Sequence, residues 1–279
     1  MRFGIKTAPQ HTGWDEMAAV WRAADAIELF DSAWNFDHFY PIFSDSDGPC
    51  FEGWTMLAAL ATQTNRIRIG CQVSGMVYRH PAVLANMAAS IDVISGGRLD
   101  VGLGAGWNEQ ECAAYGIDLP PLKERFDRFD EGVEAIVGLL SNTHTTLEGR
   151  YVKLTDARCE PKPVQRPHPP IVIGGKGRTR TLRTAARFAQ QWNTVPSSMD
   201  EWRELRAVLD QHCADLGRDP SEVESSVNVR FDRGTGVNAM VDAVGAYGEA
   251  GVELVIIALL QPFDADDVEV VAKALEQLT

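Results

Sequence analysis

The sequence predicts an α/β protein of the (β/α)8 barrel class (TIM barrel), in which eight parallel strands are each followed by a helix. Short apolar segments alternate with helical segments along the whole chain, as expected for a parallel sheet with helical crossovers. Eight such units can be distinguished, and this number favours a closed barrel over an open sheet. A length of 279 residues suits one barrel, so we expect residues 1–279 to form a single domain.

Four strands are predicted in the first half of the chain, over 3–6, 32–36, 66–72 and 98–102. These segments are apolar without strict alternation of polar and apolar residues, as expected for strands that are covered on both faces. Helices are predicted over 14–29, 51–63, 82–94 and 120–140. The pattern therefore assigns one helix to each of the first four strands.

The second half repeats the pattern, with strands over 171–173, 191–194, 225–230 and 253–258. The helices that follow are predicted over 179–188, 199–216, 237–250 and 264–278. The segment 145–154 (TTLEGRYVKL) lacks a helical period and is predicted to form a small hairpin with Glu148–Gly149 at its turn. We expect this hairpin to be an excursion between strands four and five.

The chain is strongly acidic, but its charge is uneven. The net charge is −13, yet residues 161–199 contain no Asp or Glu and carry seven Lys or Arg residues, which leaves a charge of −20 for the rest. General nucleic-acid binding needs a broad basic face, so this distribution argues against it. The basic segment fits either a local site for a small anion or a helix with a solvated basic face.

Neither a membrane span nor a metal site is predicted. No apolar run approaches the ~18 residues that cross a bilayer, and the N-terminal segment has no apolar core typical of a signal peptide. Five scattered cysteines without a C-x-x-C pair indicate reduced thiols, and six dispersed histidines form no zinc motif. We therefore expect a cytoplasmic protein that acts on a small molecule without a protein-bound metal.

Barrel enzymes place their catalytic residues at the carboxyl ends of the strands. Asp37 and His38 follow the second predicted strand, where an imidazole suits proton transfer near neutral pH. The alternative is a loop-capping Asp37 beside a packed His38. After the fourth strand, glycines such as Gly104 and Gly106 precede Trp107, and they would let a flat ring lie close to the backbone. Their G-x-G-x-G spacing differs from the dinucleotide fingerprint.

A glycine-rich segment follows the fifth predicted strand and leads into a helix. Gly174, Gly175 and Gly177 would expose backbone N–H groups, and a helix N-terminus carries roughly half a positive charge. Lys176 and Arg178 add positive charge within the basic segment. This segment is therefore predicted to bind a phosphate, although it lacks the spacing of a P-loop.

Together, these segments resemble the luciferase-like monooxygenase superfamily, in particular its branch of oxidoreductases that use the deazaflavin coenzyme F420. The resemblance covers about residues 1–200, and the matching segments occur in the order of the family. They are 36–39 (FDHF), 79–81 (RHP), 94–111 (from ISGGRL through GLGAGW to Glu111), 173–177 (IGGKG) and 192–193 (WN). After residue 195 the resemblance is mainly one of strand and helix order.

The resemblance implies a cofactor and the residues that hold it. Asp37 and His38 would lie by the polar edge and reactive centre of the tricyclic ring. The bond between Gln72 and Val73 would be a non-prolyl cis peptide that presses on one face of the ring. Residues 174–178 would hold the phosphate. An Asp-His pair favours F420 over the alternative cofactor FMN, and a basic rim would suit the oligoglutamate tail of F420.

The resemblance also implies an activity. Trp107 and Glu109 would border the pocket for cofactor and substrate, and Glu109 is a second candidate for proton transfer. The expected reaction is hydride transfer between the deazaflavin and a small organic substrate, with His38 as proton donor or acceptor. Two alternatives stay open: an FMN-dependent monooxygenase that uses a separate flavin reductase, and a non-catalytic protein that binds F420 or a flavin. The family further implies a homodimer.

Overall fold

Eight parallel strands close into a barrel in the computed structural model, which describes residues 1–278. The strands in chain order are β1 (Arg2–Lys6), β2 (Phe30–Asn35), β3 (Arg68–Cys71), β4 (Ser74–Gly75), β5 (Leu99–Gly104), β6 (Thr145–Glu148), β7 (Lys153–Ala157), β8 (Ile171–Gly174), β9 (Gln191–Thr194), β10 (Glu224–Phe231) and β11 (Leu254–Leu259). Around the barrel the order is β1, β2, β3, β5, β8, β9, β10 and β11, and β11 pairs again with β1. The predicted (β/α)8 fold is therefore confirmed.

Helices surround the barrel and connect its strands. They are α1 (Trp14–Ala26), α2 (Gly53–Ala61), α3 (Pro81–Ser95), α4 (Glu109–Tyr115), α5 (Leu122–Ser141), α6 (Thr181–Phe188), α7 (Met199–Asp215), α8 (Asn238–Glu249) and α9 (Ala265–Leu275). Local sequence explains several helix ends. The Glu52 side chain accepts hydrogen bonds from two N–H groups of the first turn of α2. Pro81 begins α3, and Gly96 ends it with a left-handed φ of 70°.

The ends of α1, α2, α5 and α9 lie two or three residues from the predicted ones, and two further differences concern the region of the predicted site. No helix is predicted at 109–115, where the structure contains α4. The predicted start of α6 at 179 is moved to Thr181, because residues 175–180 form an irregular loop. Both differences lie at the carboxyl end of the barrel, next to the predicted site.

The predicted hairpin lies between α5 and β8. Its strands β6 and β7 are antiparallel, with Leu147 opposite Leu154 and Glu148 opposite Lys153. Glu131 of α5 holds the loop of the hairpin by accepting hydrogen bonds from N–H groups at 150–152. The hairpin is thus attached to the outside of the barrel through α5.

A cluster of apolar side chains crosses the middle of the barrel interior. Its members are Trp34, Val172, Leu254 and Ile256, all of them buried. The Trp34 ring lies over Gly70, where an added Cβ would come within 2.3 Å of the ring. This packed layer separates the amino end of the barrel from its carboxyl end, where barrel enzymes bind their ligands.

Within residues 1–278, no helix is long and apolar enough to cross a membrane. The same residues contain no group of three or more His, Cys, Asp or Glu side chains arranged for a metal ion. The five cysteines are free thiols, and four of them are buried.

Candidate active site

A cavity of about 470 Å³ lies at the carboxyl ends of the strands. Its wall consists of Lys6, Phe36, His38, Ile42, Phe43, Gln72, Val73, Gly75, Tyr78, Gly104, Ala105, Gly106, Trp107, Phe126, Gly174, Gly175, Lys176, Thr181, Asn193, Thr194, Val195 and Asn228. No Asp or Glu of residues 1–278 lines it, although the chain carries a net charge of −13. The cavity therefore favours an electron-rich or anionic ligand over a cation.

A bulge between β3 and β4 projects into this cavity. The Gln72–Val73 peptide bond is cis, as the family resemblance implies, and both residues line the cavity. The Val73 side chain lies against Gly104 of β5 and Gly174 of β8, where an added Cβ would come within 2.8 Å of its methyl groups. Only glycine at these two positions leaves room for Val73, so the bulge presents an apolar surface with a fixed position.

His38 lies on the cavity wall after β2 and is held by a buried carboxylate. Its Nδ1 lies 2.8 Å from Oε2 of Glu111, a residue of α4 with a fully buried side chain. Glu111 also accepts hydrogen bonds from the Tyr78 hydroxyl (2.5 Å) and the Phe39 N–H (2.6 Å). Burial raises the pKa of Glu111, but these hydrogen bonds outweigh burial and leave the pKa below its usual value. The carboxylate is therefore charged near neutral pH.

The charged Glu111 decides which ring nitrogen of His38 is available for chemistry. An ionised carboxylate only accepts hydrogen bonds, so Nδ1 of His38 carries the proton in this pair. Nε2 is then left for a ligand, as an acceptor in the neutral imidazole and as a donor in the imidazolium. Edge-on contacts with Phe36 and Trp107 orient the ring, with centroids 5.1 and 5.6 Å away. The pair is arranged to exchange a proton at Nε2.

Glu109 does not lie where the sequence analysis places it. Its side chain is exposed at the start of α4 and is not part of the cavity wall, whereas Glu111 contacts His38. The sequence contains a signal for Glu111, because Asn108 followed three residues later by Glu is typical of a helix N-terminus. Asn108 indeed caps α4 by accepting the N–H of Glu111. A helix that begins there turns position 111 toward the barrel and position 109 toward solvent.

Asp37 also differs from its predicted role at the ring edge, because it is not part of the cavity wall. Its buried carboxylate accepts two hydrogen bonds from Arg79 (2.5 and 2.8 Å), and the same guanidinium contacts Glu52. Burial is the largest influence on the Asp37 carboxyl and raises its pKa, while Arg79 favours the charged form. The ion pair fixes the segment after β2, and this segment carries His38.

The loop after β8 reaches the cavity with part of the predicted phosphate-binding segment. Gly174, Gly175 and Lys176 line the cavity, and Gly175 has a φ of 124° that favours glycine. Gly177 and Arg178 lie outside the cavity wall. The part of the loop that borders the cavity supplies backbone N–H groups and one lysine, a combination that suits an anion.

The basic segment is largely neutralised by acidic side chains of the same chain. The ion pairs are Lys176–Glu201, Arg178–Glu204, Arg180–Asp127, Arg180–Asp130 and Arg187–Glu134. The sequence analysis left two interpretations of the basic segment open, an anion site or a solvated helix face. In the structure, these cations instead form ion pairs with acidic residues of α5 or α7. Exposed pairs of this kind are worth little, about 0–1 kcal/mol each, so an anionic ligand can compete for Lys176.

Aromatic side chains form the mouth of the cavity. Phe43 and Trp107 stack with ring centroids 5.5 Å apart and an interplanar angle of 6°. Phe43 is 85% exposed and Trp107 51% exposed, so the stack faces solvent on one side. Phe43 also has a φ of 57°, which residues other than glycine rarely adopt. The entrance therefore offers a flat apolar surface next to His38.

The floor of the cavity is polar, and the sequence analysis identified only Gln72 among the residues that form it. Lys6 donates to the backbone carbonyl and to Oε1 of Gln72, and Asn228 donates to the same Oε1. Asn193 donates to Ser226 Oγ beside them, at 2.9 Å. The sequence signal was weak, because a lysine that ends a strand is usually solvated. The residues of the floor come from β1, β9, β10 and the end of β3, and they meet only because the barrel closes.

Comparison with known proteins identifies the family to which this chain is similar. The family described as luciferase-like monooxygenase matches residues 1–242. An F420-dependent glucose-6-phosphate dehydrogenase of Microbacterium testaceum is 31% identical over 233 residues, which cover 82% of this chain and 68% of that protein. An uncharacterized protein of Mycobacterium tuberculosis is 34% identical over 166 residues, or 60% of this chain. That match spans only 57% of the length of the relative.

Solved structures with the same architecture cover the whole barrel. An F420-dependent secondary alcohol dehydrogenase in complex with an F420-acetone adduct superimposes with a TM-score of 0.86, at 18% identity, over 100% of this chain and 99% of that chain. The coenzyme F420-dependent tetrahydromethanopterin reductase from Methanopyrus kandleri gives a TM-score of 0.82, also at 18% identity, over 99% of both chains. At such identities the likeness shows the fold alone. On the family match, the chain belongs to the luciferase-like monooxygenase family.

Proposed function

We propose that this protein is an oxidoreductase that uses coenzyme F420 to transfer a hydride to or from a small organic substrate. The observation that carries the proposal is the His38–Glu111 pair, which offers one imidazole nitrogen to a cavity without a lining carboxylate. Several relatives, including the Microbacterium testaceum protein, are named F420-dependent dehydrogenases. A redox cofactor and a proton-transfer group together make up what such a reaction needs.

The residues of the cavity fit such a cofactor. Val73 with Gly104 and Gly174 forms a flat apolar side against which a planar ring can lie. Gln72 Nε2 and Thr194 Oγ1 are buried polar atoms without a protein partner among residues 1–278, and both residues line the cavity. They are suited to the polar edge of a ring, since buried polar groups normally have partners. Lys176 and the glycine loop would hold the phosphate.

The protein supplies orientation and proton transfer. When bound, F420 supplies a ring carbon that accepts or donates a hydride and does not react readily with oxygen. Removing a hydride from a substrate leaves a proton to be taken up, and Nε2 of His38 is the acceptor for it. Glu111 holds the opposite side of the imidazole and stabilises the charge that the ring gains. In the reverse direction, the imidazolium returns the proton from Nε2.

The mouth of the cavity indicates what part of a substrate it receives. Phe43, Trp107 and Ile42 present apolar surface there, and the neighbouring cation Lys176 is already assigned to the phosphate of the cofactor. Such a mouth suits an apolar organic group more than a sugar phosphate. The substrate is therefore proposed to be a small alcohol or carbonyl compound with an apolar substituent.

Cofactor binding tests the proposed function directly. Calorimetric titration of the purified protein should show F420 bound at least ~10-fold more tightly than FMN, a difference of about 1.4 kcal/mol. FMN bound more tightly by that factor would replace the proposal with an FMN monooxygenase. A protein that binds F420 but transfers no hydride to any of a panel of alcohols and carbonyl compounds would instead be a binding protein.

We also propose that the protein is a cytoplasmic homodimer. Helix α3 exposes the apolar side chains of Val83, Val93 and Ile94, each more than 40% accessible. Apolar residues grouped on one helix are a feature of subunit interfaces. The five free thiols suit a reducing compartment.

A further inference from the structure

Lys6 places a positive charge at the floor of the cavity. It ends β1, two residues after Gly4, whose position faces Ile256 of the apolar cluster inside the barrel. Alternate residues of a strand share a face, so Lys6 points into the barrel just above this cluster. Its side chain is half-buried and lines the cavity.

The ammonium group of Lys6 has no carboxylate partner. It donates to the Gln72 carbonyl (3.1 Å) and to Gln72 Oε1 (3.2 Å), and no carboxylate of residues 1–278 lies within ion-pair distance. Trp34 and Ala258, its neighbours on the flanking strands, carry no titratable group. Burial lowers the pKa of Lys6 to about 8, and the Cys71 thiol of β3 opposes this effect in part. A buried cation without a counter-ion is costly, and such groups concentrate at functional sites.

The side-chain amide of Gln72 adds a second donor to the floor. Its Oε1 accepts hydrogen bonds from both Lys6 and Asn228, and these two donors fix which end of the amide is the oxygen. The Nε2 group on the other end is buried and has no partner among residues 1–278. The floor therefore contains an ammonium group and, beside it, an amide N–H without a partner among residues 1–278, and donors of these two kinds suit carbonyl or anionic oxygens.

We propose that Lys6 and Gln72 form a binding site for the electron-rich oxygen atoms of the cofactor ring, and that Lys6 makes the site prefer reduced over oxidised cofactor. This inference rests on the proposed function and adds to it a residue that tunes the redox balance. When a substrate is oxidised, its C–H bond breaks and the electron pair moves with the hydrogen, as hydride, to the ring. His38 Nε2 would take up the hydroxyl proton as the substrate C–O bond becomes a carbonyl, and the Lys6 ammonium would stabilise the one negative charge that hydride transfer adds to a bound ring.

The test compares the affinities of the two redox forms of F420. Dissociation constants for oxidised F420 and for chemically reduced F420 under anaerobic conditions are measured by fluorescence and calorimetry. Lys6→Met should weaken binding of the reduced form by at least ~10-fold while changing the oxidised form by less than ~3-fold. Lys6→Arg keeps the charge and should retain the preference for the reduced form. Lys123→Met is the matched control, since Lys123 is exposed on α5, and it should change neither affinity.

The pH dependence of cofactor binding gives a second measurement, made on the wild-type protein and compared with Lys6→Met. The preference of the wild-type protein for reduced F420 should fall as the pH rises through the pKa of Lys6, because the charge is lost. The same affinities measured over the same pH range with Lys6→Met show how much of the pH dependence comes from titration of the cofactor itself. If Lys6→Met weakens the binding of oxidised and reduced F420 by the same factor, the inference is overturned. It is also overturned if the preference for reduced F420 depends on pH in the same way in the wild type and in Lys6→Met.

Failure of the proposed function gives a different result. If the wild-type protein binds neither form of F420, the proposed function and the role of Lys6 both fail. If it binds both forms and Lys6→Met leaves their ratio unchanged, F420 dependence stands and only the role of Lys6 is lost.

Discussion

A single buried carboxylate determines the chemistry that His38 can perform. Glu111 accepts a hydrogen bond from Nδ1–H, so under the proposed function the proton exchanged with a substrate would be held at Nε2. Without Glu111 the imidazole would have neither an assigned tautomer nor its anchoring hydrogen bond. The pairing follows the same logic as the carboxylate and imidazole of hydrolase triads, although no nucleophile is involved here.

Removing each partner of this pair separately tests their roles. We expect His38→Ala to lower the single-turnover rate of hydride transfer by roughly 10²–10⁴-fold, because a positioned imidazole contributes about that factor. Glu111→Gln should lower the rate by a smaller factor, since the imidazole remains but loses its fixed tautomer. Rapid-mixing absorbance of the cofactor measures both rates.

The exposed Glu109 provides the matched control for Glu111. Glu109→Gln removes the same charge from the same helix but leaves His38 untouched, so its rate should stay near that of the wild type. The F420 affinity of His38→Ala should change by less than ~10-fold. A His38→Ala protein that binds F420 and turns over at the wild-type rate would exclude His38 from proton transfer.

Individual site residues were predictable where position along a strand decides their location. His38 follows a strand end, and barrel geometry alone directs such a residue toward the site. Glu111 was not found, because its orientation depends on where a seven-residue helix begins. Asp37 has the residue type of a cofactor ligand, yet its partner Arg79 lies 42 positions away in the chain. No local sequence pattern predicts a contact between two residues so far apart in the chain.

At the scale of secondary structure, Arg79 joins three elements. It precedes α3, its guanidinium pairs with Asp37 after β2, and it contacts Glu52, which caps α2. The side chain of Arg79 is 13% exposed and that of Asp37 is fully buried. The connection therefore holds the ends of these elements in a fixed arrangement beneath His38.

Breaking this connection should destabilise the fold. Arg79→Ala leaves the Asp37 carboxylate buried without its partner, and we expect a loss of about 3–5 kcal/mol in the free energy of unfolding. Urea denaturation followed by circular dichroism measures it. The double variant Arg79→Ala with Asp37→Asn should regain part of the loss, because no unpaired charge remains.

An exposed ion pair serves as the comparison for Arg79. Arg178 pairs with Glu204 at the surface, and Arg178→Ala should cost less than about 1 kcal/mol. Similar small losses for Arg79→Ala and Arg178→Ala would show that the buried pair has no special importance for stability.

The spacing of apolar residues along the chain predicted most strands and helices, because packing in a barrel imposes that spacing. Strands buried on both faces are continuously apolar, and the helices that cover them repeat their apolar residues once per turn. Helix α4 was not predicted because its seven residues give barely two turns, which is too short to show this period. The start of α6 was misplaced because Arg180, at its N-cap, provides no side-chain cap that would mark it.

At the scale of the whole molecule, the charge of the site is opposite to that of the chain. The net charge is −13, yet the charged side chains that line the cavity are Lys6, Lys176 and the titratable His38. Salt screens exposed charges beyond about 8 Å at physiological ionic strength, so the local cations decide what binds. Composition alone could not reveal this contrast, because it arises from how the barrel sorts residues between inside and outside.

The proposed homodimer is also a property of the whole molecule. One chain has a mass of 30.6 kDa, and sedimentation at micromolar concentration should show a species of twice that mass. Replacing Ile94 on the exposed face of α3 by Arg should shift the distribution toward the single chain, because a charge would be placed in an apolar contact. A wild-type protein that sediments only as a single chain would exclude the dimer.

The packed layer of Trp34, Val172, Leu254 and Ile256 closes the inner end of the cavity, which opens toward the carboxyl ends of the strands. Two molecules that react inside it must use the same opening in succession. A ring that reaches the polar floor has to arrive first, and it cannot depart while its reaction partner occupies the mouth. Turnover would then follow a compulsory order, and an excess of the second reactant would slow the exchange of the first.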